Sequence, residues 1–119
     1  MSILLEYKTS SGFLLVTFNG LWSKNDIEIS VKEIGIEAEK QKTKRILLDL
    51  RGLSSPPSEM NRFYAGEILA SVLGKYKIAG FAQAEKINRF AENVAVNRGA
   101  HFKMFVTETD AIDWLIDDI

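Results

Sequence analysis

The stretch Arg45-Ile-Leu-Leu-Asp-Leu-Arg-Gly-Leu-Ser-Ser-Pro-Pro-Ser58 decides the fold. Ile46, Leu47, Leu48 and Leu50 form a nearly unbroken apolar run, as expected of a strand covered on both faces rather than alternating in and out. Gly52 offers positive φ, and Pro57 keeps residue 56 out of the α region. A helix can therefore begin only at about Ser58, so the run predicts a buried central strand that stops abruptly and hands over to a helix.

Around this strand the chain divides into alternating elements. Residues 3–8 and 13–19 predict a hairpin, joined by the turn-prone Thr9-Ser10-Ser11-Gly12. After Gly20-Leu21-Trp22, the pair Ser23-x-x-Asp26 is a near capping box, with the Ser23 hydroxyl placed to take a free backbone N–H. The helix it starts runs to about Lys42 and buries Ile27, Val31, Ile34 and Ala38 along one stripe. A second helix is expected over 58–73, closed by Gly74 in a left-handed cap. Met60, Tyr64, Ile68 and Val72 form one stripe of it, while Phe63, Leu69, Ala70 and Leu73 spread around the rest, so burial on more than one side is expected.

Residues 76–82 predict another interior strand, whose small Ala79 and Gly80 let a helix approach closely. A third helix is expected over 86–98, capped by Gly99, and a strand over 101–106. Thr107-x-x-Asp110 then starts a last short helix with Ala111, Ile112, Leu115 and Ile119 inward and Trp114 at its flank. Strands alternating with helices make this an α/β chain: an N-terminal hairpin plus βα units, in a mixed five-stranded sheet with four helices. At 119 residues with no linker, repeat or low-complexity segment, residues 1–119 are expected to form a single domain.

Composition narrows the function classes. A formal net charge of -1, with both signs mixed along the chain, gives no electrostatic reason to expect nucleic acid or an acidic membrane surface. No cysteine occurs, which excludes disulfides and thiolate chemistry and agrees with a reducing compartment; the cytoplasm is the expected location. The start carries no basic segment ahead of its short apolar run, and no stretch reaches the length of a membrane span, so neither secretion by this route nor an integral membrane position is expected.

The order ββαβαβαβα, with Gly20 before the first helix, Ile46-Leu-Leu-Asp-Leu-Arg-Gly52, Ala65-Gly-Glu67, Leu69-Ala70, Lys77-Ile-Ala79, Asn97-Arg-Gly99, Phe105, Ala111 and Trp114-Leu115, resembles the SpoIIAA-like superfamily of sporulation anti-sigma-factor antagonists. The likeness to this STAS-type fold covers nearly the whole chain and is greatest to short bacterial stand-alone members. It implies a sheet flanked largely on one side by helices, and a functional surface where the central strand meets helix two. It also implies a kinship of fold with CRAL-TRIO-type lipid-transfer domains, which carry apolar ligands. In the antagonists an Asp-Ser-Ser-Gly motif after this strand presents a phosphorylatable serine at the helix start. Aligned from Asp49-Leu50, that phosphoacceptor falls on Ser58, but Pro57, Glu59 and Met60 replace the Asp, the second Ser and the Gly.

Candidate contact residues follow from the residues themselves. Arg51, Ser54, Ser55 and Ser58 surround a helix start, where unpaired N–H groups attract phosphate, sulfate or carboxylate; the plainer reading is that Ser58 simply caps its helix. Asp49 lies where open α/β sheets place ligands, and it needs Arg51, Arg62 or a helix-end N–H as partner, or its pKa rises. As a structural carboxylate it would tie the turn together. His101 is the sole histidine and with no cysteine anchors no recognisable metal site, so a strand-edge surface position is expected. No nucleophile–base pair, phosphate loop or dinucleotide motif is present; no cofactor and no enzymatic activity are expected.

Ile29 and Ile36, seven residues apart, share a helix face away from the Ile27, Val31, Ile34 stripe. Either they form an exposed apolar surface for a partner or ligand, or a neighbouring helix covers them. The resulting expectation is a non-enzymatic module that contacts a protein partner, or itself as a homodimer, through the turn after residue 50 and nearby apolar helix surface. The alternative is a carrier of a small amphipathic or lipid-like molecule, with an acid-group anchor at Ser54, Ser58 or Arg62.

Overall fold

The computed structural model describes residues 3–10, 12–54, 58–84 and 90–117, without the side chains of residues 90 and 91. The elements in chain order are β1 (Ile3–Ser10), β2 (Phe13–Gly20), α1 (Lys24–Gln41), β3 (Arg45–Leu53), α2 (Glu59–Leu73), β4 (Lys77–Phe81), α3 (Phe90–Asn97), β5 (His101–Phe105) and α4 (Glu108–Ile116). The sheet order is β1-β2-β3-β4-β5, so β3 is the middle strand. Only β1 runs antiparallel to its neighbour; β2 to β5 pair in parallel, which gives the expected mixed five-stranded sheet with four helices.

Residues 46–48 are buried on both sides of this middle strand, as their unbroken apolar run requires. Ile46 and Leu48 join Leu14, Val16, Phe18 and Ile78 under the inner stripes of α1 and α2, whereas Leu47 faces the other way. There it packs with Phe13, Ala79 and Phe81 under Ala111 and Leu115 of α4. Ala79 thus meets a helix, and Gly80 on the opposite face is closed by Met104, whose sulfur lies 2.6 Å from where a Cβ would stand. Three helices lie on one face and the short α4 on the other.

Ile27, Val31, Ile34 and Ala38 are fully buried, as their spacing predicts. The start of α1 differs from expectation: the Ser23 side chain makes no capping hydrogen bond, and its carbonyl instead accepts from the Asp26 and Ile27 N–H groups. The loop is held from the other side. Gly20 at φ 112° turns the chain, Trp22 packs edge-on to Phe18 with ring centroids 5.1 Å apart, and Trp22 Nε1 donates to the buried Ser30 hydroxyl at 2.8 Å.

Helix α2 is buried on more than one side because it lies between α1 and α3, but its inward stripe is Ala65, Leu69 and Leu73. Tyr64, Ile68 and Val72 are half-buried on its flank and Met60 is exposed, so the stripe expected from those four positions is not the core-facing one. Gly74 follows α2 in right-handed conformation, φ -61°, contrary to the expected left-handed cap. Its lack of a side chain matters for space: a Cβ would lie 2.5 Å from the Ala70 carbonyl oxygen. Gly99, at φ 94°, does use the left-handed region. The start of the third helix expected at residue 86, together with Pro56, Pro57 and Ile119, lies outside the described residues. Among the described residues no helix is long and apolar enough to cross a membrane.

Candidate functional site

The carboxyl end of β3 is built around two opposed needs. Asp49, continuing the alternation of Leu47, points to the α4 side and is nearly buried there, with 8% of its surface exposed. A buried carboxylate without partners would take up a proton. Arg51, two residues on, supplies them: its Nε and backbone N–H donate to Oδ1 at 3.0 and 3.1 Å, and a terminal nitrogen donates to Oδ2 at 2.8 Å. Burial pushes the Asp49 pKa up, but the Arg51 side-chain bonds, its backbone N–H and its charge together outweigh this and hold the carboxyl below the usual range. The guanidinium itself lies over the Phe81 ring, 4.9 Å from its centroid. Asp49 therefore has the turn-tying role, with Arg51 and not Arg62 as its partner.

Gly52 follows, and its role differs from the expected positive φ, which occurs among described glycines at 12, 20 and 99. It pairs with Asn19 where the β2–β3 register shifts, and a Cβ there would run into the Phe18 carbonyl oxygen and the Asn19 side chain. Glycine is required by close backbone approach at an irregularity in the ladder. The chain then stays tethered to the neighbouring strand, because the Ser54 N–H donates to the Gly20 carbonyl at 2.8 Å.

Ser58 is the N-cap of α2: its backbone is extended, and its hydroxyl accepts the Asn61 N–H at 3.1 Å. The hydroxyl is exposed. Arg62 is half-buried one turn on, its N–H donating to the Ser58 carbonyl at 2.9 Å. Met60, in the first turn, is 75% exposed, and Leu21, next to the glycine that tethers Ser54, is 50% exposed. The rim at the carboxyl edge of the sheet thus combines exposed hydroxyls of Ser54 and Ser58 with two large exposed apolar side chains.

The expected site residues do not form one constellation. Ser54, Ser58 and Arg62 share the β3–α2 turn, whereas Asp49 and Arg51 are bound to each other on the α4 side; Ser55 lies outside the described residues. Ile29 and Ile36 are exposed on α1, 56% and 63%, so no neighbouring helix covers them. Ile36 lines an open groove between α1 and α2 of about 690 Å³ whose other wall is Val72, in the last turn of α2. That groove lies at the opposite end of α2 from Ser58. Residue spacing did not reveal Leu21 or Met60: the first stood in a loop and the second in a presumed buried stripe. His101 opens β5, at the opposite edge of the sheet from Ser58, and its ring meets Trp114 edge-on with centroids 5.1 Å apart.

No family model matches this sequence, and no curated protein matches it. Solved structures do. An anti-sigma factor antagonist from Mycobacterium paratuberculosis is 16% identical, with a TM-score of 0.69 over 98% of this chain and 96% of that one. An uncharacterised DUF3478-family protein with a SpoIIAA-like fold from Shewanella loihica is 24% identical, with a TM-score of 0.59 over 96% and 94%. A serine-to-glutamate variant of RsbS from Moorella thermoacetica is 14% identical, with a TM-score of 0.58 over 93% of each chain. By these structural likenesses, this chain has the SpoIIAA-like, STAS-type fold.

Proposed function

We propose that this chain is a non-enzymatic regulatory module that binds a protein partner through the carboxyl edge of its sheet, at the turn between β3 and α2. The carrying observation is Met60, a long apolar side chain 75% exposed in the first turn of α2, beside the exposed cap Ser58. A flexible thioether in that position is suited to burial against another protein surface. The shared fold of an anti-sigma factor antagonist supports the regulatory class. Ser58 caps its helix in the free protein and is the candidate phosphoacceptor; a phosphate there would sit at a helix start, where the dipole favours it. Catalysis by Ser58 has no support, because the sole histidine is at the other edge of the sheet.

The test is photo-crosslinking in the source cells, with benzophenone placed at position 60 and, as control, at the exposed Glu6. A discrete protein adduct from 60 alone, absent when Leu21 is replaced by Asp, is the expected result; sedimentation of the purified chain then shows whether the partner is a second copy. No protein adduct from 60, or the same adducts from both positions, refutes the reading. A carrier of an amphipathic molecule has weaker support, since the apolar groove at Ile36 and Val72 lies far from the expected acid anchor at Ser54, Ser58 and Arg62.

A further inference from the structure

The mixture of charge signs along the chain does not persist in space. The groove between α1 and α2 has an apolar lining of Gly35, Ile36 and Val72 with Tyr76 at its base, and its rim carries Lys32, Lys40 and Lys75. Two adjoining hollows share Lys75 and Tyr76 with it and extend the trough past Lys42 and Lys44 to the amino edge of the sheet. Within the groove the carboxylate is Glu39, and it is already engaged, accepting from Lys75 at 3.2 Å and from the Tyr76 hydroxyl at 3.1 Å. Lys32 is paired with Glu28 at 2.7 Å, but Lys40, Lys42 and Lys44 make no ion pair among the described residues. A chain of net charge -1 thus holds a trough with positive rims.

Lysines near the end of α1 also suit the negative end of that helix. The dipole does not account for Ile36, 63% exposed between them, or for the apolar wall that Val72 adds from the facing helix. An apolar lining edged by Lys40 and continued past Lys42 and Lys44, none of them in an ion pair among the described residues, complements a ligand with an apolar stripe flanked by carboxylates. Two helices with a groove between them form a concave seat for a third helix.

We propose that the α1–α2 groove docks an acidic amphipathic helix of a protein partner, its apolar stripe on Ile36 and Val72 and its carboxylates against Lys40, Lys42 and Lys44. This surface is separate from the Met60 rim, and each stands or falls on its own measurement.

The probe is a fluorescein-labelled peptide of about 18 residues, five helical turns, with leucines at helical spacing and glutamates elsewhere, compared with a scrambled isomer by fluorescence anisotropy. The intact wild-type chain is tested beside Ile36→Asp, the double variant Lys40→Glu/Lys44→Glu, and Met60→Asp. All four positions are exposed, and Ile36→Ser stands in should Ile36→Asp lose its circular dichroism spectrum. The expected result is saturable binding of the patterned peptide that weakens with added salt. Ile36→Asp and the double lysine variant each weaken it about tenfold or more, a change easily resolved, while Met60→Asp leaves it unchanged. Equal binding of the scrambled peptide, equal binding by the groove variants, or loss in Met60→Asp alone overturns the proposal. So does Ile36-dependent flotation with phosphatidylglycerol vesicles without peptide binding, which makes the trough a lipid site.

Discussion

Replacing Arg51 by Ala tests whether the β3 terminus is held by one ion pair. The substitution removes two of the three hydrogen bonds to the Asp49 carboxylate and leaves only the backbone N–H of residue 51. Bonds to a charged group contribute about 1.5–3 kcal/mol when shielded. The Asp49 side chain is 11% exposed but that of Arg51 is 53% exposed, so water and salt screen part of the attraction. A loss of about 1–2 kcal/mol at pH 7 is expected, equivalent to a fall in Tm of about 4–8 °C for a chain of this size. Asp49→Asn keeps an acceptor for the backbone N–H and loses the charge, so its cost is similar or smaller. In a double-mutant cycle the pair should show a coupling of about 1 kcal/mol.

Acid supplies the sharper test. The folded Asp49 carboxyl titrates below its unfolded value of about 3.9. Its contribution is therefore whole above that pH and is lost as pH falls through the lower folded value, because the unfolded chain binds the proton first. Wild-type protein loses stability in that window, and Asp49→Asn lacks this component. Arg51→Ala leaves burial of Asp49 largely unopposed, raising its folded pKa, so the deficit of this variant narrows as acid is added. Urea unfolding at pH 7 and in steps below pH 4 measures both effects. A coupling indistinguishable from zero at pH 7, or an Arg51→Ala deficit that is the same in acid, refutes the assignment.

Substitutions at two further positions address the same turn. Gly52→Ala places a Cβ against the Phe18 backbone carbonyl, which cannot rotate away, so the cost should reach the upper part of the about 1–3 kcal/mol range for overpacking; a denaturation midpoint unchanged from wild type would show that β2 and β3 can separate there. Ser58→Ala should lose about 1 kcal/mol by removing the acceptor for the Asn61 N–H, whereas Ser58→Asp, itself a good N-cap, should stay within a few tenths; equal losses in urea unfolding would mean that the cap does not hold α2.

What could be foreseen from residue types follows local physics. The run at 46–48 announced a strand covered twice, the stripe of Ile27, Val31, Ile34 and Ala38 announced an inward helix face, and Ser58 and Thr107 announced helix starts that their side chains do cap. Helix α2 defeated the same approach because apolar residues occupy most of its circumference, so periodicity cannot choose the core face. Neighbours chose it: with α1 and α3 on its flanks, Tyr64 and Ile68 became lateral contacts and Ala65 and Leu69 faced the sheet. Asp49 parted from Ser58 for a related reason. Strand alternation fixes that Asp49 lies with Leu47, but only the crossover decides which face α2 then covers. The lysine-rimmed trough was hidden because Lys75 and Val72 are distant in sequence from Lys32, Ile36 and Lys40 and meet them only where α2 packs beside α1.

The two exposed surfaces are held in fixed relation by how α2 is seated on α1. Near its start the Tyr64 hydroxyl donates to Glu28 at 2.7 Å, and beyond its end the Tyr76 hydroxyl donates to Glu39 at 3.1 Å. The intervals 28–39 and 64–76 are closely matched, so the helix pair is clasped at both ends in one register. Between the clasps lies Gly35, where an added Cβ would stand 3.3 Å from Leu73 Cδ2; the smallest residue of α1 leaves room there for the end of α2. Each clasp carboxylate is held below its usual pKa, first by a lysine, Lys32 or Lys75, and then by its tyrosine. Both stay ionised, and both tyrosines stay protonated, at any pH near neutral. Slippage of α2 along α1 would break both clasps and drive larger residues onto the Gly35 contact. Met60 at one end and the Ile36–Val72 groove at the other are therefore carried by one clasped helix pair, so the two proposed surfaces share a single scaffold.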